Sequence, residues 1–168
     1  MITADPFARV LSLSECVTLR DAARQHGKSV VLTNGCFDLL HRGHLEYLRQ
    51  SAGLGDLLIV AVNSDESVRK LKGPDRPLNS EADRAYALAC LRFVDAVLIF
   101  TGPRLAEEIR ALRPDHYTKA GDYTPDTLDH SEYSALVTVG SEIRILPFVA
   151  GHSTTSLIER GAGKANPS

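Results

Sequence analysis

Cysteine, basic charge and long apolar runs are all scarce in this sequence of 168 residues. The three cysteines, Cys16, Cys36 and Cys90, are odd in number and widely spaced, which fits neither a disulfide framework nor a structural zinc pattern. A formal net charge of -2 and the lack of any basic run disfavour binding to nucleic acid. We therefore expect reduced thiols, a cytoplasmic location and no nucleic-acid partner.

No segment of the sequence suggests a membrane partner. The longest apolar run lies near residues 56–62, far short of the roughly 20 residues that cross a bilayer. The first ten residues lack the basic start and apolar core of a secretion signal. We expect one domain over residues 1–168, with an N-terminal helix at about 14–26, a core at about 28–160 and a loose tail at 161–168.

Short apolar runs alternate with helical patterns along the chain. Strands are predicted at 29–33, 57–62, 96–100, 116–119 and 143–147, and helices at 14–25, 44–52, 81–92, 105–112, 129–139 and 153–160. Continuous apolar runs of this kind are typical of parallel strands buried on both faces. The alternation predicts an α/β fold, a Rossmann-like doubly wound sheet of five parallel strands in the order 3-2-1-4-5, with helices on both faces.

Polar clusters follow three of the predicted strands. Asn34 to His44 follows the first, Ala120 to Tyr123 the fourth, and Ser153 to Thr155 the fifth. Ligands of open parallel sheets bind beyond the carboxyl ends of the strands, where the strand order reverses. Glycines and helix starts in these clusters suit phosphate groups, so a compact anionic ligand, such as a nucleotide, is indicated.

Basic residues and the two histidines of the first cluster fit the same ligand. Lys70, Lys72 and Arg76 are expected in a loop, where they would supply mobile cations. His41 and His44 flank Gly43, and two imidazole donors at a helix start can stabilise charge on the oxygens of a transferring phosphoryl group.

Plainer interpretations accompany each of these features. His41 and His44 could simply cap a helix or lie on the surface, and a zinc site is less favoured because no third ligand stands at suitable spacing. Taken alone, the Ser153 cluster fits a helix N-cap, the Lys70 segment fits a solvated face, and Cys36 fits packing rather than nucleophilic catalysis.

Several motifs resemble the cytidylyltransferase-like nucleotidyltransferases. They are TNGCFDLLHRGHLEYL at 33–48, VNSDESVRKLKGPDRPLN at 62–79, ADR at 82–84, FVDAV at 93–97, KAGDY at 119–123 and STTSLI at 153–158. Within that family they resemble the branch that adenylylates D-glycero-β-D-manno-heptose 1-phosphate, alone or fused to a sugar kinase. The similarity spans about residues 11–160.

The resemblance implies a reaction and a set of site residues. AMP would pass from ATP to the sugar 1-phosphate, giving ADP-heptose for lipopolysaccharide and pyrophosphate, with Mg²⁺ as cofactor. The implied catalytic residues are His41, His44, Lys72 and Arg84. The implied nucleotide-binding residues are Asn34, Gly35, Cys36, Phe37, Gly43, Gly121, Asp122, Ser153, Thr154 and Thr155, and the implied substrate-binding residues are Asp38, Asn63 and Lys70.

Two departures from the family pattern and two alternatives remain. Ala120 stands where KGGDY has its second glycine, and His152 stands where a small or apolar residue is usual. One alternative is a cytidylyltransferase acting on an alcohol phosphate such as glycerol 3-phosphate, whose Arg-Thr-Glu-Gly-Ile stretch is replaced here by residues 148–152. The other is a non-catalytic nucleotide-binding module. A homodimer and a separate sugar kinase are further expected partners.

Overall fold

A computed structural model describes residues 5–121, 127–147 and 161 of the chain. A short 3-10 helix at Pro6–Arg9 precedes the alternating elements. The strands are β1 (Val30–Gly35), β2 (Leu57–Asn63), β3 (Ala96–Phe100), β4 (His116–Ala120) and β5 (Glu142–Leu146). The helices are α1 (Leu13–Gln25), α2 (Arg42–Ala52), α3 (Asp65–Lys72), α4 (Glu81–Ala89), α5 (Ala106–Leu112) and α6 (His130–Val139).

The strands form one parallel sheet in the order β3-β2-β1-β4-β5. The central strand β1 pairs with β2 through Gly35 and Val62 and with β4 through Thr33 and Thr118. The fold class and the strand order predicted from the sequence are therefore confirmed. The strand order reverses on either side of β1, so the crevice expected of such sheets lies beyond the ends of β1 and β4.

Both faces of the sheet are buried, and each face has its own helices. Side chains alternate along a strand, so Leu32 of β1 and Tyr117 of β4 face α1, α5 and α6. Val31 of β1 and Val60 of β2 face the opposite layer with α2 and α4. This double burial explains why the strands are apolar at consecutive positions rather than at alternate ones.

Helix α3 was not predicted, and the expectation that Lys70 and Lys72 lie in a loop is wrong. Ser64 caps the helix by accepting a hydrogen bond from the Ser67 backbone N–H (3.2 Å). Gly73, at φ +100°, ends it. Only Ser67 and Val68 of α3 are buried, so the segment has too few apolar residues to give a helical pattern. The helix predicted at 153–160 lies outside the described residues.

Three aspartates fasten the amino end of the sheet. Asp56, Asp95 and Asp115 each precede a strand, and each carboxylate accepts a hydrogen bond of 2.8 Å from the backbone N–H at the start of a neighbouring strand. These donors belong to residues 29, 58 and 30. A side chain thus satisfies N–H groups at the amino ends of these strands, where the ladder begins.

The helices of the described ranges are short, and the longest, α1, has 13 residues. Across the described ranges, none is both long and apolar enough to span a membrane.

Candidate active site

A cavity of about 530 Å³ opens beyond the carboxyl ends of four strands. Its lining residues come from the carboxyl ends of β1, β2, β3 and β4, from the loops after β1, β3 and β4, and from α2, α3 and α6. They are Asn34, Gly35, Cys36, Phe37, His44, Tyr47, Asn63, Leu71, Lys72, Phe100, Pro103, Arg104, Lys119, Ala120, Thr127, Leu128, Asp129 and Glu132. The cavity lies where the sequence predicted convergence, at the β1/β4 crevice.

The two histidines lie at the start of α2. The His41 and His44 rings stack with their centroids 3.8 Å apart and their planes 21° from parallel. Nδ1 of His41 accepts a hydrogen bond from the His44 backbone N–H (3.3 Å), so His41 caps the helix. The capping interpretation is therefore correct for His41, while His44 lines the cavity.

His44 is an electrically neutral donor at physiological pH. Burial, reinforced by His41, lowers the pKa of His44 from 6.5 to about 4, and the Leu39 backbone offsets only part of this. An imidazole near neutral pH then carries one N–H and no charge. It can stabilise negative charge that develops on a ligand without paying for a buried cation.

A buried hydrogen-bond network beneath the histidines holds α2 against the sheet. The Tyr47 hydroxyl lies 2.6 Å from Oγ1 of Thr33 on β1 and 3.1 Å from Oγ1 of Thr118 on β4. Ser51, one turn further along α2, lies 2.9 Å from the same Thr118 oxygen. These contacts join the helix to both strands that border the crevice, which fixes the position of the His44 ring.

Gly35 and Phe37 form a tight turn at the end of β1. A Cβ atom on Gly35 would lie 2.9 Å from Cε2 of Phe37, so any side chain at position 35 would force the ring to shift. Phe37 itself has φ +48°, a conformation that is uncommon outside glycine. Its ring packs edge-on against His44 with a centroid distance of 5.3 Å, so the strained residue is held by packing against the site it borders.

The other face of the cavity carries a half-buried lysine. Nζ of Lys119 on β4 donates to Oδ1 of Asn34 at the end of β1 (2.7 Å). The Tyr117 hydroxyl donates to the same oxygen (2.8 Å) and lies 3.4 Å from Oε2 of Glu132 on α6. Oε1 of Glu132 accepts from the Leu105 backbone N–H (3.0 Å). Burial lowers the pKa of Lys119, and the Glu132 carboxylate opposes that shift.

Asn63 and Cys36 contact each other inside the cavity. Nδ2 of Asn63 donates to Oγ of Ser67 (3.0 Å), and the Cys36 sulfur lies 3.8 Å from Oδ1 of Asn63. Burial raises the pKa of the Cys36 thiol despite the nearby Lys72, Arg84 and Arg76. The thiol is thus protonated at neutral pH, which suits packing rather than attack on a ligand.

Several of the predicted site residues do not line the cavity, and Asp38, Lys70 and Arg84 are three of them. The Asp38 carboxylate accepts from Nε of Arg76 (2.6 Å) and from the backbone N–H groups of Leu78 and Asn79. The Lys70 ammonium is exposed and pairs with Glu66 (2.6 Å). Their substrate-binding roles stay predictions, and for Asp38 these contacts favour support of the loop.

Arg84 is the third of these residues. Its side chain is 0% exposed. The guanidinium donates to the Cys36 carbonyl (2.6 Å), to the Asn79 carbonyl (3.1 Å) and to Oδ1 of Asp65 (2.8 Å). Its catalytic role stays a prediction, and the contacts favour a clamp that holds the loop after β1 in place.

Other predicted residues lie at the edge of the described structure or beyond it. Gly43 is buried in the first turn of α2, and Gly121 has φ +100° just after β4. Asp122 and the Ser153 to Thr155 cluster, with His152, lie outside the described residues. Within residues 5–121, 127–147 and 161, no group of three or more His, Cys, Asp or Glu side chains could hold a metal ion.

Sequence reasoning missed the residues that α6 and β4 bring to the cavity. Lys119, Glu132 and Asp129 line it, together with Arg104, whose Nε pairs with Asp129 (2.9 Å). Lys119 belongs to the KAGDY motif, so its position could have been anticipated from the alternation of side chains along β4. Glu132 shows no such signal, because it lies in a helix far from any motif.

The cytidylyltransferase-like family matches residues 32–160, a range that includes most of β1, α2, the cavity loops and β5. The chain belongs to this family, and it is therefore a nucleotidyltransferase. The family assignment agrees with the resemblance found in the motifs and with the placement of His44 at the β1/β4 crevice.

Two curated relatives are similar to this chain over most of its length. The chain is 48% identical over 146 residues to the bifunctional protein HldE of Syntrophotalea carbinolica, covering 85% of this chain and 29% of that protein. It is 46% identical over 154 residues to the bifunctional protein HldE of Methylococcus capsulatus, covering 92% of this chain and 32% of that protein. The chain thus spans about a third of the length of these relatives.

A solved structure shares the fold. The crystal structure of the lipopolysaccharide core biosynthesis protein from Thermoplasma volcanium GSS1 aligns with a TM-score of 0.60 and 29% sequence identity. The alignment covers 73% of this chain and 98% of that one.

Proposed function

We propose that the protein is an adenylyltransferase that joins AMP from ATP to D-glycero-β-D-manno-heptose 1-phosphate, giving ADP-heptose and pyrophosphate. The observation that carries the proposal is the neutral His44 donor, stacked on His41 at the start of α2, lining a cavity at the β1/β4 crevice. The identity of 46–48% to HldE proteins supports the choice of heptose 1-phosphate, since the adenylyltransferase of that bifunctional protein is its C-terminal part.

The reaction is a direct in-line displacement. An oxygen of the sugar phosphate attacks the α-phosphorus of ATP, the bond from that phosphorus to the bridging β-phosphate oxygen breaks, and pyrophosphate leaves. No general base is needed, because the attacking phosphate is already ionised at neutral pH. The protein therefore acts mainly by positioning both substrates and by stabilising charge on the oxygens around phosphorus.

Each part of the cavity has a task in this scheme. His44 would donate its N–H to the triphosphate, with His41 holding it in place. Lys72, at the end of α3, would neutralise phosphate charge at the mouth of the cavity. The backbone of Gly35, Cys36 and Phe37 would border the nucleotide, while Arg84 and Asp38 keep that loop in position.

Mg²⁺ fits this cavity as an ion that accompanies ATP. The carboxylate of Asp129 in the lining already pairs with Arg104, and that of Glu132 already accepts from the Leu105 N–H. Mg²⁺ commonly binds through substrate phosphates and waters with few protein ligands. When bound, it would neutralise charge on the phosphate oxygens.

The test is pyrophosphate release, measured with each nucleoside triphosphate against a panel of sugar 1-phosphates and glycerol 3-phosphate. We expect turnover with ATP and heptose 1-phosphate. Turnover with CTP and glycerol 3-phosphate, but not with ATP, would replace this proposal with the cytidylyltransferase. An absence of turnover with every pair would favour the non-catalytic nucleotide-binding module.

The setting of the reaction follows from its substrates. A sugar kinase must supply the 1-phosphate, and the bifunctional relatives suggest that this kinase works beside the transferase. We place both in the cytoplasm, where ATP is made, and the product would serve lipopolysaccharide synthesis. A homodimer is part of this proposal, and sedimentation analysis of the purified chain would test it.

A further inference from the structure

The α6 side of the cavity carries a polar group with a fixed orientation, the amide of Asn34. A lysine ammonium can only donate hydrogen bonds, so the amide atom 2.7 Å from Nζ of Lys119 must be the oxygen. The Tyr117 hydroxyl, 2.8 Å away, donates to the same oxygen. With both contacts on Oδ1, the Nδ2 of Asn34 is turned away from β4.

The Asn34 amide nitrogen is therefore available to a ligand. Asn34 is half-buried and lines the cavity. Within the described ranges, no protein group accepts a hydrogen bond from its Nδ2. Its Oδ1 accepts two hydrogen bonds, from Tyr117 and Lys119. A primary amide offers two N–H donors, so this side chain presents donors to the cavity and keeps its acceptor against the protein.

The residues that contact the Asn34 amide are held in place by buried neighbours. Oε1 of Glu132 on α6 accepts a hydrogen bond from the Leu105 backbone N–H (3.0 Å), and its Oε2 lies 3.4 Å from the Tyr117 hydroxyl. Glu132 and Tyr117 are 4% and 0% exposed. The orientation of Asn34 is thus connected to the buried layer formed by α5 and α6, and it does not depend on solvent-exposed side chains.

The donors lie on the opposite face of the sheet from the histidines. Leu32 and Tyr117 pack against α1, α5 and α6, and Asn34 and Lys119 follow them by two residues on the same face. Ala120 packs in the layer of α2, which carries His44. A ligand in this cavity can therefore be held from both sides, by a neutral imidazole on one and by an amide beside a cation on the other.

We propose that Lys119 is a positioning residue, which fixes the Asn34 amide so that its N–H groups, next to the lysine charge, bind a phosphate oxygen of the substrates. This inference rests on the proposed function for the identity of the phosphate. The oxygen belongs either to the α-phosphate of ATP or to the sugar 1-phosphate, because both lie at the reacting centre. Amide and ammonium donors together suit an ionised phosphate.

The decisive variant is Asn34→Asp, which keeps the shape of the side chain. One carboxylate oxygen would still accept from Lys119 and Tyr117, and an ion pair would be gained, so a purely structural role predicts unchanged or higher stability. The second oxygen would replace the N–H donors with negative charge facing the phosphate. We expect kcat/KM to fall by about 100-fold or more, in line with loss of a hydrogen bond to a charged group.

Variants at Lys119 test the positioning role. Lys119→Met should lower kcat/KM by about tenfold to 100-fold, and Lys119→Arg, which retains charge and donors, should restore a large part of it. Lys28→Met is the matched control, because Lys28 is exposed and lies before β1, at the opposite edge of the sheet. Circular dichroism and thermal melting would confirm that each variant is folded.

Binding measurements locate the phosphate and separate this inference from the proposed function. Calorimetry with a non-hydrolysable ATP analogue, and separately with sugar 1-phosphate, should show weaker binding of one of them to Asn34→Asp, and that ligand supplies the oxygen. If the wild-type protein turns over no substrate pair, the proposed function fails, while the binding comparison still tests the amide. Binding and kinetics within twofold of wild type in folded Asn34→Asp would overturn the inference.

Discussion

Polar side chains at the two ends of the sheet differ in their hydrogen-bond partners. At the amino end, Asp56, Asp95 and Asp115 are all engaged by backbone N–H groups of neighbouring strands. At the carboxyl end, Asn34 has its oxygen engaged by the protein and its amide nitrogen turned to the cavity. The first arrangement completes the backbone ladder, and the second keeps hydrogen-bonding capacity for a ligand.

This contrast separates stability from function within one sheet. An aspartate before a strand contributes by satisfying a buried donor, so its loss should weaken the fold without changing the chemistry. A polar group after a strand contributes to ligand binding, and burying it there costs stability. Functional sites are where such local costs are expected.

The largest effect should come from His44 at the carboxyl end. His44→Ala removes the neutral donor, and we expect kcat to fall by about 100- to 1000-fold, as for other donors to developing oxyanions. Pyrophosphate release measures this effect. The control His26→Ala removes an exposed imidazole at the end of α1 and should leave turnover unchanged. Near-normal turnover in His44→Ala would show that His44 is not the donor proposed here.

An amino-end substitution should give the reverse result. Asp115→Ala leaves the buried Val30 N–H without its 2.8 Å partner. We expect the free energy of unfolding to fall by about 1–3 kcal/mol, the usual cost of an unpaired buried donor, with kcat unchanged. Urea unfolding would measure it, with Asp75→Ala as an exposed control. A loss of kcat in a folded Asp115→Ala variant would contradict the view that the amino end of the sheet serves stability alone.

A smaller effect is expected for Lys72, which lines the cavity but is exposed. Lys72→Met should raise the KM of one or both substrates by about tenfold, because a solvent-screened charge contributes less than a buried donor. The free energy of unfolding should stay the same. Steady-state kinetics against Lys28→Met would measure the difference, and equal KM values in the two variants would remove Lys72 from the site.

The last effect concerns pH. The pKa of His44 is lowered from 6.5 to about 4 in the folded protein, so between these values the unfolded chain binds the proton more tightly. The free energy of unfolding should therefore fall as pH drops from 6.5 towards 4. Urea unfolding at about pH 7.5 and about pH 5.0 would measure this free energy. It should depend less on pH in His44→Asn than in the wild-type protein. If the free energy of unfolding changes equally with pH in both proteins, burial of His44 does not contribute to the pH dependence.

The fold could be predicted from the sequence where residues act locally. The apolar runs of β1 to β3 are buried on both faces, and that double burial makes them visible as continuous runs. Helix α3 was missed because Val68 is its only buried apolar residue. The helix is defined by the Ser64 cap and by the Gly73 stop rather than by a hydrophobic face.

The site was predictable only in part, because residue type does not tell which partner a side chain finds. His44 and Lys72 line the cavity, as their motifs implied. Arg84 has the chemistry of a phosphate ligand, but it donates to Cys36 and Asp65. Glu132 could not be found, since its contacts join residues that are 15 and 27 positions apart in the chain.

The contact between Gly35 and Phe37 has an evolutionary consequence. A Cβ atom at position 35 would lie 2.9 Å from the phenylalanine ring, so the two positions are constrained as a pair. In a lineage that keeps phenylalanine at 37, another residue at 35 must displace that ring. A change to a small side chain at 37 would avoid this displacement, but it would also remove the ring that packs against His44. Substitutions at these positions should thus be inherited together.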